Sequence, residues 1–293
     1  MQSIRRRRLV GVILTFACAG FYGAAQEPSR SPRAIIKQVD HVMIPTSEMD
    51  QLYSLLSDTL RLPIVYAYQP WTEKFQSGLV CAGNVNLEAL PSRPKEPSAE
   101  SPVARFSGIA FEPTSTSISV EELAARTLEY AGPFPYTVTG PDGQKRTRWT
   151  TVGLRTLSRG LSAFLCEYNF DVEARRQVHR QELEKRDGGP IGLESVDEII
   201  LGTPDLDDAI ARWQKVLDPL TPAAAGFWRI GNGPAIRLIQ SDKNAILALV
   251  LKVKSLERAK SFLAANNLLG EHSDKHLGFD RSKVQGLDIR LVE

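Results

Sequence analysis

Three ionisable residues interrupt apolar, strand-like runs. His41 lies in Val39-Asp-His-Val-Met-Ile44, Glu88 in Val85-Asn-Leu-Glu-Ala-Leu90, and Glu167 in Ser162-Ala-Phe-Leu-Cys-Glu-Tyr168. Burying a carboxylate alone is costly, so each glutamate must face solvent, pair, or bind a cation. An imidazole in a strand is more commonly a hydrogen-bonded structural group than a metal ligand, but two nearby carboxylates would strengthen the second reading. Other chemistry-bearing residues are less ordered. His272 and His276 are four apart, yet Glu271–Asp280 reads as a loop, so the helical spacing of a ligand pair does not apply. His179 falls in a charged, solvated helix. Cys166 adjoins Glu167 without a partner histidine, so no nucleophile arrangement is formed. Gly231-Asn-Gly233 reads as a hairpin turn. Tyr66, Tyr68, Trp71 and Phe75 line either a core or a cleft.

The elements that must carry these residues are set out by an internal repeat. Val39-Asp-His-Val-Met-Ile44, a polar turn and Met49–Leu56 return 157 residues later as Val196-Asp-Glu-Ile-Ile-Leu201, Gly202-Thr-Pro-Asp205 and Leu206–Trp213. Val, Asp, Thr and Asp recur at identical offsets. Each copy reads as a strand, a turn, then a helix with an apolar stripe: Leu52, Tyr53, Leu56 and Leu60 in the first, Ile210, Trp213 and Leu217 in the second. Strands are expected at Ile64–Tyr68, Gly78–Ala82 and Val85–Leu90. The Pro- and Ser-rich stretch Pro91–Pro102 must be a loop. The pattern then restarts more weakly, with strands at Phe106–Phe111, Trp149–Leu154 and Ser162–Tyr168 around a helix at Val120–Tyr130. After the second copy come strands at Phe227–Ile230, Ala235–Ile239, Ile246–Val253 and Leu287–Val292, and a helix at Leu256–Leu268. Between the copies Val172–Lys185 is charged and helix-prone, and Asp187-Gly-Gly-Pro190 is a linker.

A Val-Asp-His strand, a turn, an amphipathic helix and three further strands resemble the βαβββ unit of the vicinal oxygen chelate superfamily, in its glyoxalase-like branch. Val39-Asp40-His41, Val196-Asp197-Glu198 and Asn86-Leu87-Glu88 carry the resemblance, which spans Ile36 to Glu293. It implies an α+β fold: tandem domains, each of two βαβββ units whose sheets curl around a cleft. The domains expected are 36–171 and a degenerate 191–293, joined by a helical linker at 172–190. Superfamily ligands come from the first and last strands of each unit. That implies a metal set of His41, Glu88 and Glu167, with Glu88 and Glu167 also the catalytic carboxylates, and with the fourth position at or beside Ile109, which cannot ligate. Such a set suits Zn²⁺, Mn²⁺, Ni²⁺ or Fe²⁺. The second domain places Glu198 where His41 stood, with Arg237 and Arg290 at the positions of Glu88 and Glu167, and is expected to hold no metal; no other cofactor is indicated.

The amino terminus reads as an address. Arg5–Arg8, the apolar Leu9–Tyr22 and Gly23-Ala-Ala25 have the layout of a secretory signal peptide, with cleavage expected after Ala25 and a tether at 26–35. The apolar stretch is short of the roughly 20 residues of a membrane span. Of the 293 residues, 42% are hydrophobic and 24% charged, which excludes a disordered chain, a fibre and a polytopic membrane protein. Four of the 36 basic residues lie in Arg5–Arg8. The rest of the chain carries 32 basic against 34 acidic groups, a balance without the field that gathers nucleic acid. Cys81 and Cys166 are expected as buried free thiols. The expectation is an exported, glyoxalase-like lyase, isomerase or dioxygenase that uses a divalent metal on a small oxygen-rich substrate. The alternative is a metal-free small-molecule binding protein without turnover.

Overall fold

The computed structural model describes residues 30–72, 75–92 and 103–293. The segment read as a signal peptide lies outside the described residues, as does 93–102 of the Pro-rich loop. Among the described residues are two sheets and five α-helices. The first half contributes β1 (Ile36–Thr46), α1 (Met49–Ser54, continued as a π-helical turn over Leu55–Thr59), β2 (Ile64–Thr72), β3 (Phe75–Cys81) and β4 (Asn86–Pro91). After the loop come β5 (Gly108–Pro113), α2 (Thr116–Ala125), β6 (Ala131–Thr139), β7 (Lys145–Gly153) and β8 (Ser162–Tyr168). These strands form one eight-stranded sheet in the order β2-β3-β4-β1-β5-β8-β7-β6. Helix α3 (Val172–Lys185) leads to the second half: β9 (Leu193–Thr203), α4 (Leu206–Leu217), β10 (Phe227–Arg229), β11 (Ala235–Gln240), β12 (Ala245–Val253), α5 (Leu256–Ala265), β13 (Leu269–His272), β14 (Leu277–Phe279) and β15 (Ile289–Val292). Its seven strands run β10-β11-β9-β12-β15-β14-β13.

The repeated residues have repeated structural jobs. In β1 the pairing with β5 slips between Val39 and His41, leaving Asp40 as the extra residue of a bulge. In β9 the pairing with β12 slips between Val196 and Glu198, leaving Asp197. A bulge re-aims side chains, so Asp40 and His41 lie together instead of on opposite faces. Thr46 and Thr203 close the following turns, each hydroxyl accepting the N–H two residues on (Glu48, 2.9 Å; Asp205, 3.4 Å). Leu52, Leu56 and Leu60 are buried at a spacing of four, and so are Ala209, Trp213 and Leu217 on α4.

Three expectations need correction. Helix α2 starts four residues earlier than expected, because Ser115 caps it by accepting the Ile118 N–H, and it stops before Thr127, whose φ is +54°. The segment Glu271–Asp280, expected as a loop, overlaps the β13–β14 hairpin. Strand β6, with Pro133 and Pro135, was not anticipated. It is tolerated because it is an edge strand, where a missing N–H costs no ladder bond.

Pro32–Glu293 fold as one compact unit whose hydrophobic core runs from the first sheet into the second. Trp213 of α4 meets Phe111 of β5 edge-on at 6.2 Å and stacks near Trp228. The Asn84 amide holds both backbone groups of Val196, donating at 3.0 Å and accepting at 2.9 Å. At Gly83 the φ of +85° and a Cβ position 2.4 Å from the Glu194 carbonyl oxygen leave room only for glycine. Cys81 and Cys166 are buried free thiols.

Candidate functional site

The first-half site is assembled on the bulge. Asp40 Oδ2 lies 2.7 Å from His41 Nδ1, and the other ring nitrogen, Nε2, lies 3.2 Å from Glu88 Oε2. All three side chains are buried. Tyr66 on β2 donates to Glu88 Oε1 at 3.0 Å, and Tyr168 on β8 donates to Asp40 Oδ2 at 2.8 Å. The His41 ring abuts Phe164 edge-on at 5.7 Å. From α3, Arg176 reaches in and bonds both Asp40 and Glu112; Glu112 also accepts from Lys37 (2.7 Å) and Gln38 (2.8 Å). Beside Asp40, a cavity of about 40 Å³ is bordered by Tyr66, Asn86, Tyr168, Arg176 and His179. It has room for a few waters.

Electrostatics fix the protons. Burial resists charge on His41, but Glu88 and Asp40 outweigh it and raise the imidazole to about 10. Burial likewise resists ionising Asp40, yet His41, Arg176 and Tyr168 hold it at about 2. Glu88 is lowered against its burial by His41, with Ser77 and Tyr66 helping. As these side chains are arranged, the imidazole keeps its proton between two carboxylates at neutral pH.

Not all the expected ligands come together. The register pairs His41 with Ala110 of β5, and Ala110 with Phe164 of β8. Glu88 lies two residues beyond the partner of His41 on β4, so its counterpart two residues beyond Phe164 is Cys166. Glu167 is one residue out of step, and in a strand one residue is the other face. Its Oε2 accepts the N–H of Thr116 at the start of α2, 3.1 Å away. The fourth position, expected at or beside Ile109, is its neighbour Ala110, which cannot ligate either. Among the described residues no group of three His, Cys, Asp or Glu side chains is arranged to hold a metal ion. The donors present therefore do not fit the three-ligand centre that the resemblance implied. His179 also departs from expectation: its Nδ1 is buried, without a hydrogen-bond partner, at the edge of the small cavity. Sequence reasoning missed Arg176, Tyr168 and Asp40. Asp40 alone carried a signal, the recurrence of its aspartate in the repeat.

Opposite the His41 row, the sheet curls until its edges meet. The Tyr136 hydroxyl on β6 donates to the Trp71 carbonyl on β2 at 2.7 Å. Trp71 packs edge-on against Trp149 (5.7 Å) and Tyr66 (4.9 Å), and Trp149 stacks on Tyr136 at 4.0 Å. Of the aromatics that sequence left open between core and cleft, Tyr66 and Trp71 line the cleft, whereas Tyr68 is exposed and donates to Gln76 Oε1.

In the second half the same positions carry opposite charges. Glu198 occupies the place of His41, paired across the sheet with Val250, and Arg237 the place of Glu88. The Arg237 guanidinium grips Glu198 with two bonds of 2.6 Å and lies over Phe227, 4.3 Å from the ring centre. Arg290 pairs with Val250, so it matches Phe164, not Glu167 as expected.

No protein-family model matches the chain, and no curated protein matches it. Solved structures do. Homoprotocatechuate 2,3-dioxygenase from Brevibacterium fuscum, in complex with 3,4-dihydroxyphenylacetate, has a TM-score of 0.58 at 10% identity, covering 91% of this chain and 82% of its own. The Mn(II)-bound glyoxalase from Novosphingobium aromaticivorans gives 0.53 at 14% identity, covering 88% and 82%. A hypothetical protein from Staphylococcus aureus gives 0.56 at 11%, covering 87% and 98%. The curled α+β sheets of this chain have the vicinal oxygen chelate fold. At such low identity the likeness is one of fold, and what the site does must be argued from its own residues.

Proposed function

We propose that this chain is an exported small-molecule binding protein whose first-half cleft works without a resident metal. The observation that carries this reading is the state of His41: both ring nitrogens are held by carboxylates, and the positions related to His41 and Glu88 within the sheet are Ala110 and Cys166. The imidazolium supplies a fixed positive charge inside an aromatic-walled cleft. The 3.2 Å contact to Glu88 is the looser of its two bonds. An oxygen-bearing ligand would take that Nε2–H as its own hydrogen bond while the aromatic rings cover its apolar part. An imidazole held near 10 keeps its proton at neutral pH, which suits capture better than proton shuttling.

A second reading, a divalent-metal lyase, isomerase or dioxygenase, is favoured by one observation. A carboxylate on Nδ1, as Asp40 is here, is the usual outer partner of a metal-bound histidine. Metal analysis by mass spectrometry separates the two. Mature protein purified without chelator and then exposed to Zn²⁺, Mn²⁺ or Fe²⁺ should carry no stoichiometric metal. About one metal per chain, lost in His41→Ala, would overturn the metal-free reading and install the second. Export rests on the layout of residues 1–25; a secreted or periplasmic product beginning at Gln26 is the expected result of amino-terminal sequencing. Among the described residues no helix is long and apolar enough to cross a membrane.

A further inference from the structure

The second half has a cleft where the first half has an aromatic closure. In the first sheet the flanking strands β2, β6 and β7 are nine residues each, long enough for their edges to touch. In the second, β10, β13 and β14 have only three, four and three residues. The face is left uncovered, and a cavity of about 290 Å³ opens there, lined by Asp197, Glu198, Val250, His276, Arg290 and Val292. Its floor is apolar. Ile200, Ala248 and Val250 form a cluster with Leu247 and Val292 that is separate from the main core.

The rim is charged, with cations and carboxylates in balance. Arg237 faces Glu198, Arg229 faces Asp197 at 3.5 Å, and Arg281 and Arg290 share Asp288. Glu271 also acts on Arg290, so four guanidiniums are set against four carboxylates. Arg290 gives Nε and Nη2 to Asp288 (3.0 and 2.8 Å), which leaves other N–H donors of its fork for a second acceptor. An apolar floor beside a forked cation is the complement of a carboxylate on a hydrophobic body.

We propose that this cleft binds a small monocarboxylate with an apolar body, the carboxylate on Arg290 and the body over Val250 and Val292. The site is distinct from the His41 site and does not depend on how that site works. The test is titration of the full chain with benzoate, followed by calorimetry and protein NMR, with benzyl alcohol and benzylamine as uncharged and cationic counterparts. Benzoate should bind, and the other two at least about ten-fold more weakly, as expected for loss of a charged hydrogen bond. Arg290→Met should weaken benzoate by a similar factor while leaving the fold intact, since Asp288 keeps Arg281. Val292→Trp, which fills the cavity from a partly exposed position, should abolish binding. Benzoate bound in this cleft should shift the amide signals of β12 and β15 and leave those of β1 and β4 in place. Absence of benzoate binding, equal binding of benzyl alcohol, or undiminished binding in both second-half variants would overturn the proposal.

Discussion

At the scale of single residues, the site is a chain of charges handed along buried side chains: Arg176 to Asp40, Asp40 to His41, His41 to Glu88. Its pH dependence has a definite sign. Asp40 is depressed from 3.8 to about 2, so its contribution to stability is complete above 3.8 and is lost as pH falls toward 2. His41 is raised from 6.5 to about 10, so its contribution is complete below 6.5 and is lost as pH rises through 10. The melting temperature should therefore hold steady between these limits and decline from neutral toward pH 10. His41→Gln should flatten that alkaline decline; an identical decline in the variant would refute the assignment. Arg176→Met leaves two buried carboxylates short of a cation, and by urea denaturation should cost about 3–5 kcal/mol, the scale for breaking a buried pair. Arg176→Lys should recover part of the loss. A cost near zero would mean that Arg176 is a bystander.

At the scale of elements, the sequence was legible wherever a residue's job is local. Val39-Asp40 and Val196-Asp197 repeat because both pairs sit at a bulge, and Thr46 and Thr203 repeat because both hydroxyls close the next turn. The helix Val172–Lys185 was readable to the residue. What was not readable depends on register or on distance along the chain. Glu167 and Cys166 are neighbours in sequence, and only the pairing of β5 with β8 shows which one shares a face with His41. Arg176 lies 136 residues from Asp40, in a helix whose composition reads as solvated surface. Strand β6 hides behind two prolines that an edge position excuses. The closure between β6 and β2 yields its own prediction. Tyr136→Phe removes the hydrogen bond to Trp71 and should cost about 1 kcal/mol. Amide exchange should accelerate in β2 and β6 and stay unchanged in β1 and β5. Uniform acceleration across the sheet would show that the bond is not a local tie.

At the scale of the whole molecule, the two halves share one core instead of two. Phe111 against Trp213, Asn84 on Val196 and Gly83 against Glu194 are contacts across the repeat, so neither half completes its packing alone. Calorimetry of the mature chain should show one unfolding transition, with calorimetric and van't Hoff enthalpies in agreement. Two resolved transitions would show the halves to be independent. A 191–293 fragment, deprived of Phe111 and Asn84, should remain unfolded by circular dichroism.

The meeting of the sheet edges over the first half also sets a clock. With Trp71, Trp149 and Tyr136 in contact, a ligand that approaches His41 from that side must wait for β2 and β6 to part, and must wait again to leave. Its rate of entry should level off as concentration rises, at the frequency with which the protein breathes. Entry to the uncovered second cleft should climb in proportion to concentration. One chain would then hold a slow compartment and a fast one, built from the same ancestral unit and distinguished by the length of three strands.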